Sequence, residues 1–212
     1  MNINIKCVAK KWSRALLAVM TGSLLFAACS ESDDTSSEFD DWQNKNTVYW
    51  DALYAKAQDS INAGNTNWKI IKSWSLEDTL QSKSTGYIVV HVKDKGAGTV
   101  SPIYTDTVRC HYVGRLIPTA SYPEGYQFDS SLGNAISMEE ATPAKFAISG
   151  VVDGFSTALQ NMHVGDHWEV YIPYTLGYGE SAQSTIPAYS TLIFDIKLAA
   201  FYPVGKKVPD WK

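Results

Sequence analysis

Cysteine is scarce in this chain. There are three in 212 residues: Cys7, Cys29 and Cys110. Two of them fall within the first 29 positions, so Cys110 stands alone in the remainder and no internal disulfide framework can form there. Basic clusters are equally scarce. None follows Lys11, and the net charge of -4 lacks the positive face of a nucleic-acid binder, so no nucleic-acid partner is expected. The apolar run at residues 15–28 is too short to cross a bilayer comfortably as a mature helix. Gly96-Ala-Gly98 is followed by neither Lys-Ser/Thr nor a helix start, which excludes a phosphate loop and leaves a hairpin turn. No Gly-x-Ser-x-Gly elbow occurs, and Ser130 and Ser131 have no identifiable His base. His163 and His167 are separated by Gly165-Asp166, so they flank a turn, and no Cys or His pair completes a zinc set. These gaps point away from covalent and metal chemistry. No cofactor or metal is expected.

The chain opens with an address. Lys6, Lys10, Lys11 and Arg14 precede the apolar run, and Leu25-Phe-Ala-Ala-Cys29 resembles a bacterial lipobox. That resemblance implies lipidation at Cys29, a signal peptide over 1–28 and a lipoprotein of a Gram-negative outer membrane. An ordinary secretory signal with an incidental cysteine is the alternative. Residues 29–39, rich in Ser, Asp and Glu, cannot bury a core and are expected to form a flexible acidic tether. The acidic run resembles surface-export signals of some lipoproteins, so the periplasmic and outer faces both stay open.

Residues 40–84 form the expected helical spacer. Trp50, Leu53, Tyr54, Ala57 and Ile61 recur at helical spacing over 40–63, with Asp40 or Asp41 to cap the start and Gly64 to end it. Trp68 to Trp74 is less regular. The apolar stripe either docks on the following domain or pairs with a second copy.

From residue 85 the pattern changes to strands. Tyr87–Val92, Asp106–Val113, Lys145–Ile148, His167–Ile172 and Thr191–Leu198 read as β, and Val152–Met162 as one short helix. This predicts an α+β domain over 85–202, an antiparallel sheet packed around a single short helix, followed by a tail over 203–212. Cys110 lies in an alternating apolar run and reads as a buried structural thiol.

Six motifs then occur in one order: Asp106-Thr-Val-Arg-Cys-His-Tyr-Val-Gly114, Gln127-Phe-Asp-Ser-Ser131, Val151-Val-Asp-Gly-Phe155, Asn161-Met-His-Val-Gly-Asp166, Ile172-Pro-Tyr-Thr-Leu-Gly-Tyr-Gly179 and Ile186-Pro-Ala-Tyr-Ser-Thr-Leu-Ile-Phe-Asp195. Together they resemble the FKBP-type peptidyl-prolyl cis/trans isomerases. The resemblance implies a site lined by Tyr112, Phe128, Asp129, Phe146, Val151, Val152, Phe155, Tyr178, Ile186 and Phe194. It implies an isomerase of the EC 5.2.1.8 class acting on proline-containing polypeptide clients, open to macrolide inhibitors of that family, and anchored to a membrane through Cys29. Phe155 stands where the family usually has Trp, and Ala144 where its best-known members carry an aromatic. The connections over 115–127 and 132–143 are longer than in minimal members. A binding module that holds proline segments without catalysis is the competing reading, and a surface adhesin or assembly factor using the spacer helix is a third.

Overall fold

The computed structural model describes residues 38–77 and 82–211. The expected signal, Cys29 with its expected lipid and most of the expected acidic tether lie outside the described residues.

The first element is α1 (Trp42–Asn62). Trp42, Asn46, Trp50, Leu53 and Ala57 recur every three or four residues, and all five are buried. The stripe expected from the sequence shares Trp50, Leu53 and Ala57 with the observed one. Ile61 instead faces solvent, because the helix has run past its support by that turn. At the start, Asp41 takes a left-handed conformation (φ 53°) and makes no side-chain cap. Its carboxylate accepts from Asn44 Nδ2 at 2.9 Å. At the end, Gly64 adopts φ 85°, which a residue with a Cβ takes only at a cost, and donates to Ile61 O at 2.9 Å.

The sheet consists of β1 (Trp68–Lys72), β2 (Tyr87–Asp94), β3 (Thr107–Arg115), β4 (Gln127–Ser130), β5 (Ala144–Ala147), β6 (His167–Ile172) and β7 (Leu192–Tyr202). Its order is β1-β2-β6-β7-β3-β4, with β5 also paired to β3, and every pairing is antiparallel. The expected α+β architecture is the one observed.

Two differences have simple causes. The irregular stretch after the spacer helix contains β1, which pairs with β2 from Trp68↔His91 to Lys72↔Tyr87. Trp68 and Ile70 pack under α1 while Ile71 joins the opposite core, so both faces are covered and the polar alternation that marks a strand is lost. The last strand runs to Tyr202 because a bulge between the Arg109↔Ala200 and Cys110↔Leu198 pairs absorbs one residue of β7 and lets the ladder continue.

The short helix, α2 (Asp153–Asn161), lies against the other face of the sheet. Phe155, Ala158, Leu159 and then Met162 point into a core shared with Ile88, Val90, Val108, Cys110, Val170 and Ile196. Gly154 permits the close approach, since a Cβ there would lie 2.3 Å from Ile172 Cγ2. On the outer face, Val89 meets Trp50, Leu53 and Ala57 of α1. This double cover explains the unbroken Ile88-Val-Val90 run. Cys110 is fully buried, and burial pushes its thiol up to about 12.

Candidate active site

The concave side of the sheet and the start of α2 enclose a cavity of about 260 Å³. Tyr112 enters it from β3, Asp129 from β4, Phe146 from β5 and Phe194 from β7. Gly150, Val151 and Val152 form the turn into α2, which supplies Phe155, and Tyr178 comes from the loop after β6.

The rings meet edge to face, as aromatic quadrupoles prefer. Phe155 and Phe194 lie 4.9 Å apart between centroids at 79°, Tyr112 and Phe146 5.5 Å apart, and Tyr112 and Phe155 6.1 Å apart at 84°. Tyr112, Phe155 and Phe194 are almost wholly buried, whereas Tyr178 is 40% exposed at the mouth.

Phe128 and Ile186, grouped with these residues on the sequence, are placed differently. Phe128 is not among the lining residues; its ring lies 5.5 Å from that of Phe194 at 87°. Both rings cross over Gly114, where a Cβ would lie 2.6 Å from Phe128 and 2.7 Å from Phe194. Ile186 is buried and lines a neighbouring cavity. Ala144 packs on the core without lining the site.

One carboxylate sits among these rings. Asp129 Oδ2 accepts from the Tyr112 hydroxyl at 2.7 Å, and Oδ1 accepts from the Ser130 N–H at 2.8 Å. Burial first, then the Asp129 hydrogen bond and charge, holds the Tyr112 phenol well above its ordinary value, so it remains a neutral donor. Ser131 fixes the backbone beneath this pair. Its Oγ accepts from Tyr112 N–H at 2.9 Å, and its N–H donates to Tyr112 O at 2.9 Å. Sequence reasoning assigned Ser131 no role, and it also missed Gly150. The only signal for Ser131 was its place in the Phe128-Asp-Ser-Ser131 run.

Two donors remain open. Among the described residues, neither the Val152 N–H at the head of α2 nor the Tyr178 hydroxyl has a hydrogen-bond partner. The cavity therefore offers apolar walls and two free donors, with no nucleophile paired to a base. It can bind a compact apolar ring next to a carbonyl and change that group's surroundings.

The far side of the Tyr178 loop is fastened to α1. Trp42 Nε1 donates to Ser190 Oγ at 2.8 Å, and Ser190 donates on to Pro187 O at 2.6 Å. Thr191 N–H donates to Asn46 Oδ1 at 2.7 Å. Trp42, Asn46, Ser190 and Thr191 are all buried. Tyr189 N–H closes the loop on Gly179 O at 2.9 Å.

Residues 98–199 match the family model described as FKBP-type peptidyl-prolyl cis-trans isomerase. The FKBP-type 22 kDa peptidyl-prolyl cis-trans isomerase of Escherichia coli (strain K12) is 37% identical over 131 residues, which are 61% of this chain and 57% of that protein. The FKBP-type peptidyl-prolyl cis-trans isomerase FkpA of Aeromonas hydrophila is 30% identical over 147 residues, 69% of this chain and 50% of that one. Outer membrane protein MIP of Legionella longbeachae is 39% identical over 106 residues, 50% of this chain and 40% of that one. The chain spans about half the length of the curated relatives it matches.

Proposed function

Residues 98–199 are a domain of the FKBP type, and on that premise we propose that the chain is a peptidyl-prolyl cis/trans isomerase that assists the folding of exported proteins. The observation that carries the reading is the aromatic cavity with the Tyr112–Asp129 pair inside it and two open donors at its rim.

The reaction asks little covalent chemistry of the protein. Rotation about an X–Pro bond breaks amide resonance, with a barrier of about 18–20 kcal/mol, and uncatalysed exchange takes about 10–100 s. No proton moves and no bond breaks. The catalyst has only to favour the twisted amide over both planar forms. A planar amide carries a large dipole that water stabilises, while the twisted form separates less charge. Transfer into walls made by Tyr112, Phe146, Phe155 and Phe194 therefore costs the planar states more. The proline ring fills the space between these rings. The Val152 N–H holds the neighbouring carbonyl, and the Tyr178 hydroxyl bonds the reacting segment. Asp129 acts through Tyr112, whose hydroxyl it orients. Each tenfold acceleration requires about 1.4 kcal/mol, so a few such contacts are sufficient for a modest catalyst.

The signal-like N-terminus and the name of the Legionella relative support a Gram-negative envelope location. In this reading Cys29 carries the lipid anchor, the domain begins near residue 85, and macrolide inhibitors of the family compete with clients for the cavity.

The test is cis-to-trans exchange of short Leu-Pro and Ala-Pro peptides by the parent, Tyr178→Phe and Asp129→Ala. Acceleration by the parent that falls in the folded variants supports the reading. A folded parent without acceleration overturns it in favour of a proline-segment binding module.

A further inference from the structure

A second cavity, of about 480 Å³, lies between the start of α1, the 115–126 connection and the 183–187 turn. We propose that it is a subsite for the client chain, receiving an aromatic or large aliphatic side chain about three positions from the isomerised proline. The proposal rests on the isomerase reading above and adds to it which clients are preferred.

Phe39, Tyr122 and Tyr126 form its aromatic walls, beside polar Glu38, Ser121, Gln183, Ser184 and Thr185. Tyr122 and Tyr126 meet edge to face at 5.2 Å, Phe39 stands edge-on to Trp42 at 4.9 Å, and Ile186 and Pro187 complete the lining. The volume falls in the ~300–1,000 Å³ range of sites that enclose a ligand group. The walls are also tied together before any client arrives. Glu38 accepts from the Ser121 N–H at 3.1 Å and from its hydroxyl at 2.6 Å, which joins the head of α1 to the connection. The turn is closed on itself through Gln183 N–H to Ile186 O at 2.8 Å and Ile186 N–H to Gln183 O at 3.2 Å. Trp42 and Asn46 hold the segment beyond it. The Gln183 and Ile186 peptide groups are thus satisfied, while among the described residues the side chains of Tyr126, Gln183 and Ser184 have no hydrogen-bond partner.

Position relative to the proline cavity identifies the occupant. Tyr126 lines the second cavity and Asp129 lines the first. The chain between them is short, with Leu116 N–H donating to Tyr126 O at 3.0 Å and β4 following directly, its ladder bulged between the Gly114↔Asp129 and Arg115↔Gln127 pairs. Three residues of strand span at most about 10 Å at ~3.3 Å each. An extended client alongside it covers the same distance in about three residues. A client whose proline sits against Phe155 therefore brings the side chain about three positions away to Tyr126 and Ile186. The free hydroxyl and amide groups at the rim suit its peptide backbone.

The experiment uses the full chain and a set of Ala-rich peptides with one Leu-Pro bond, in which a single Trp is stepped from two to five residues away on either side. Trp about three positions away on one side is expected to lower KM about tenfold relative to the all-Ala peptide, with kcat unchanged. Tyr126→Ala, which removes a wall, and Ser184→Trp, which fills the cavity from an exposed position, each reduce that preference to less than about twofold. A flat profile in the parent, or a preference kept by both variants, overturns the proposal. If the parent accelerates no peptide, the isomerase reading fails separately. Calorimetric titration of the same peptides then decides the subsite: tighter binding of the Trp peptide that is lost in Ser184→Trp upholds it, and equal binding overturns it. Self-association of the parent that Ser184→Trp abolishes in sedimentation would assign the cavity to a second copy and also overturn it.

Discussion

The hydroxyl of Tyr112 donates to Asp129 Oδ2 at 2.7 Å within a ring of three phenylalanines, Phe146, Phe155 and Phe194. The pair joins β3 to β4 inside a largely apolar cavity. Tyr112→Phe leaves the carboxylate its Ser130 N–H and solvent. Asp129→Leu leaves a buried hydroxyl with nothing to bond. The second is expected to cost about 1–3 kcal/mol of stability and the first about 1 kcal/mol. Urea unfolding of the two variants beside the parent measures the order, and reversal of that order would contradict the assignment of Tyr112 as donor.

Gly114 is expected to tolerate no side chain. The Cβ of Gly114→Ala would sit 2.6 Å from Phe128 and 2.7 Å from Phe194. The rings must part, which for an overpacked core costs about 1–3 kcal/mol, and Phe194 moves at the cavity wall. Thermal unfolding and peptide exchange should therefore worsen together. Parent-like values in both would show that the rings have room to yield.

The α1 clamp predicts an asymmetry between two substitutions. Trp42→Phe removes one donor, and Ser190 keeps its bond to Pro187 O, so the loss is about 1 kcal/mol or less beyond the change in packing. Asn46→Leu strands the buried Thr191 N–H, at about 1–3 kcal/mol. Hydrogen exchange at Thr191 offers a local readout. Its protection should fall further in the Asn46 variant than global unfolding alone requires.

A pH dependence follows from the polar face of the sheet. His167 Nε2 meets Asp195 Oδ1, and Nδ1 lies 3.4 Å from Asp94. The Asp195 hydrogen bond raises the imidazole pKa against an opposing burial effect, and Asp94 adds to it. A raised folded value means that this pairing stabilises fully below the unfolded value near ~6.5 and fades as pH climbs through the folded one. The midpoint difference between parent and Asp195→Asn should thus be larger at about pH 5.5 than at about pH 8.5. An equal difference at both would remove His167 from the account.

The sequence reading succeeded where the signal is local. Tyr87–Val92 and His167–Ile172 lie within the observed strands because alternation and flanking turns are short-range, and Gly64 stops α1 through its own φ. It failed where the cause lies across the fold. Trp68–Lys72 hides its strand because α1 covers one face and the main core the other. Asp41 offers cap chemistry, yet its backbone is left-handed and its carboxylate turns to Asn44. Trp42 and Ser190 are 148 residues apart, and nothing near either announces their bond. Phe128 and Ile186 show the same limit for the site. The motifs that contain them are local, but which cavity a side chain lines depends on the packing around Gly114 and on the neighbouring connection.

The last strand of the described residues occupies the middle. β7 lies between β6 and β3, and its pairing reaches from Thr107↔Tyr202 to Arg115↔Ile193. Until those residues leave a ribosome or a translocation channel, β3 and β6 each present an open edge, and Phe194 is missing from the cavity. Such long-range closure is slow, and the waiting edges are sticky. Shortening the C-terminus into β7 would split the sheet at its centre instead of trimming its rim. The domain is therefore committed to folding after its own synthesis, and in the meantime it is exposed to the same hazards as the polypeptides it is proposed to serve.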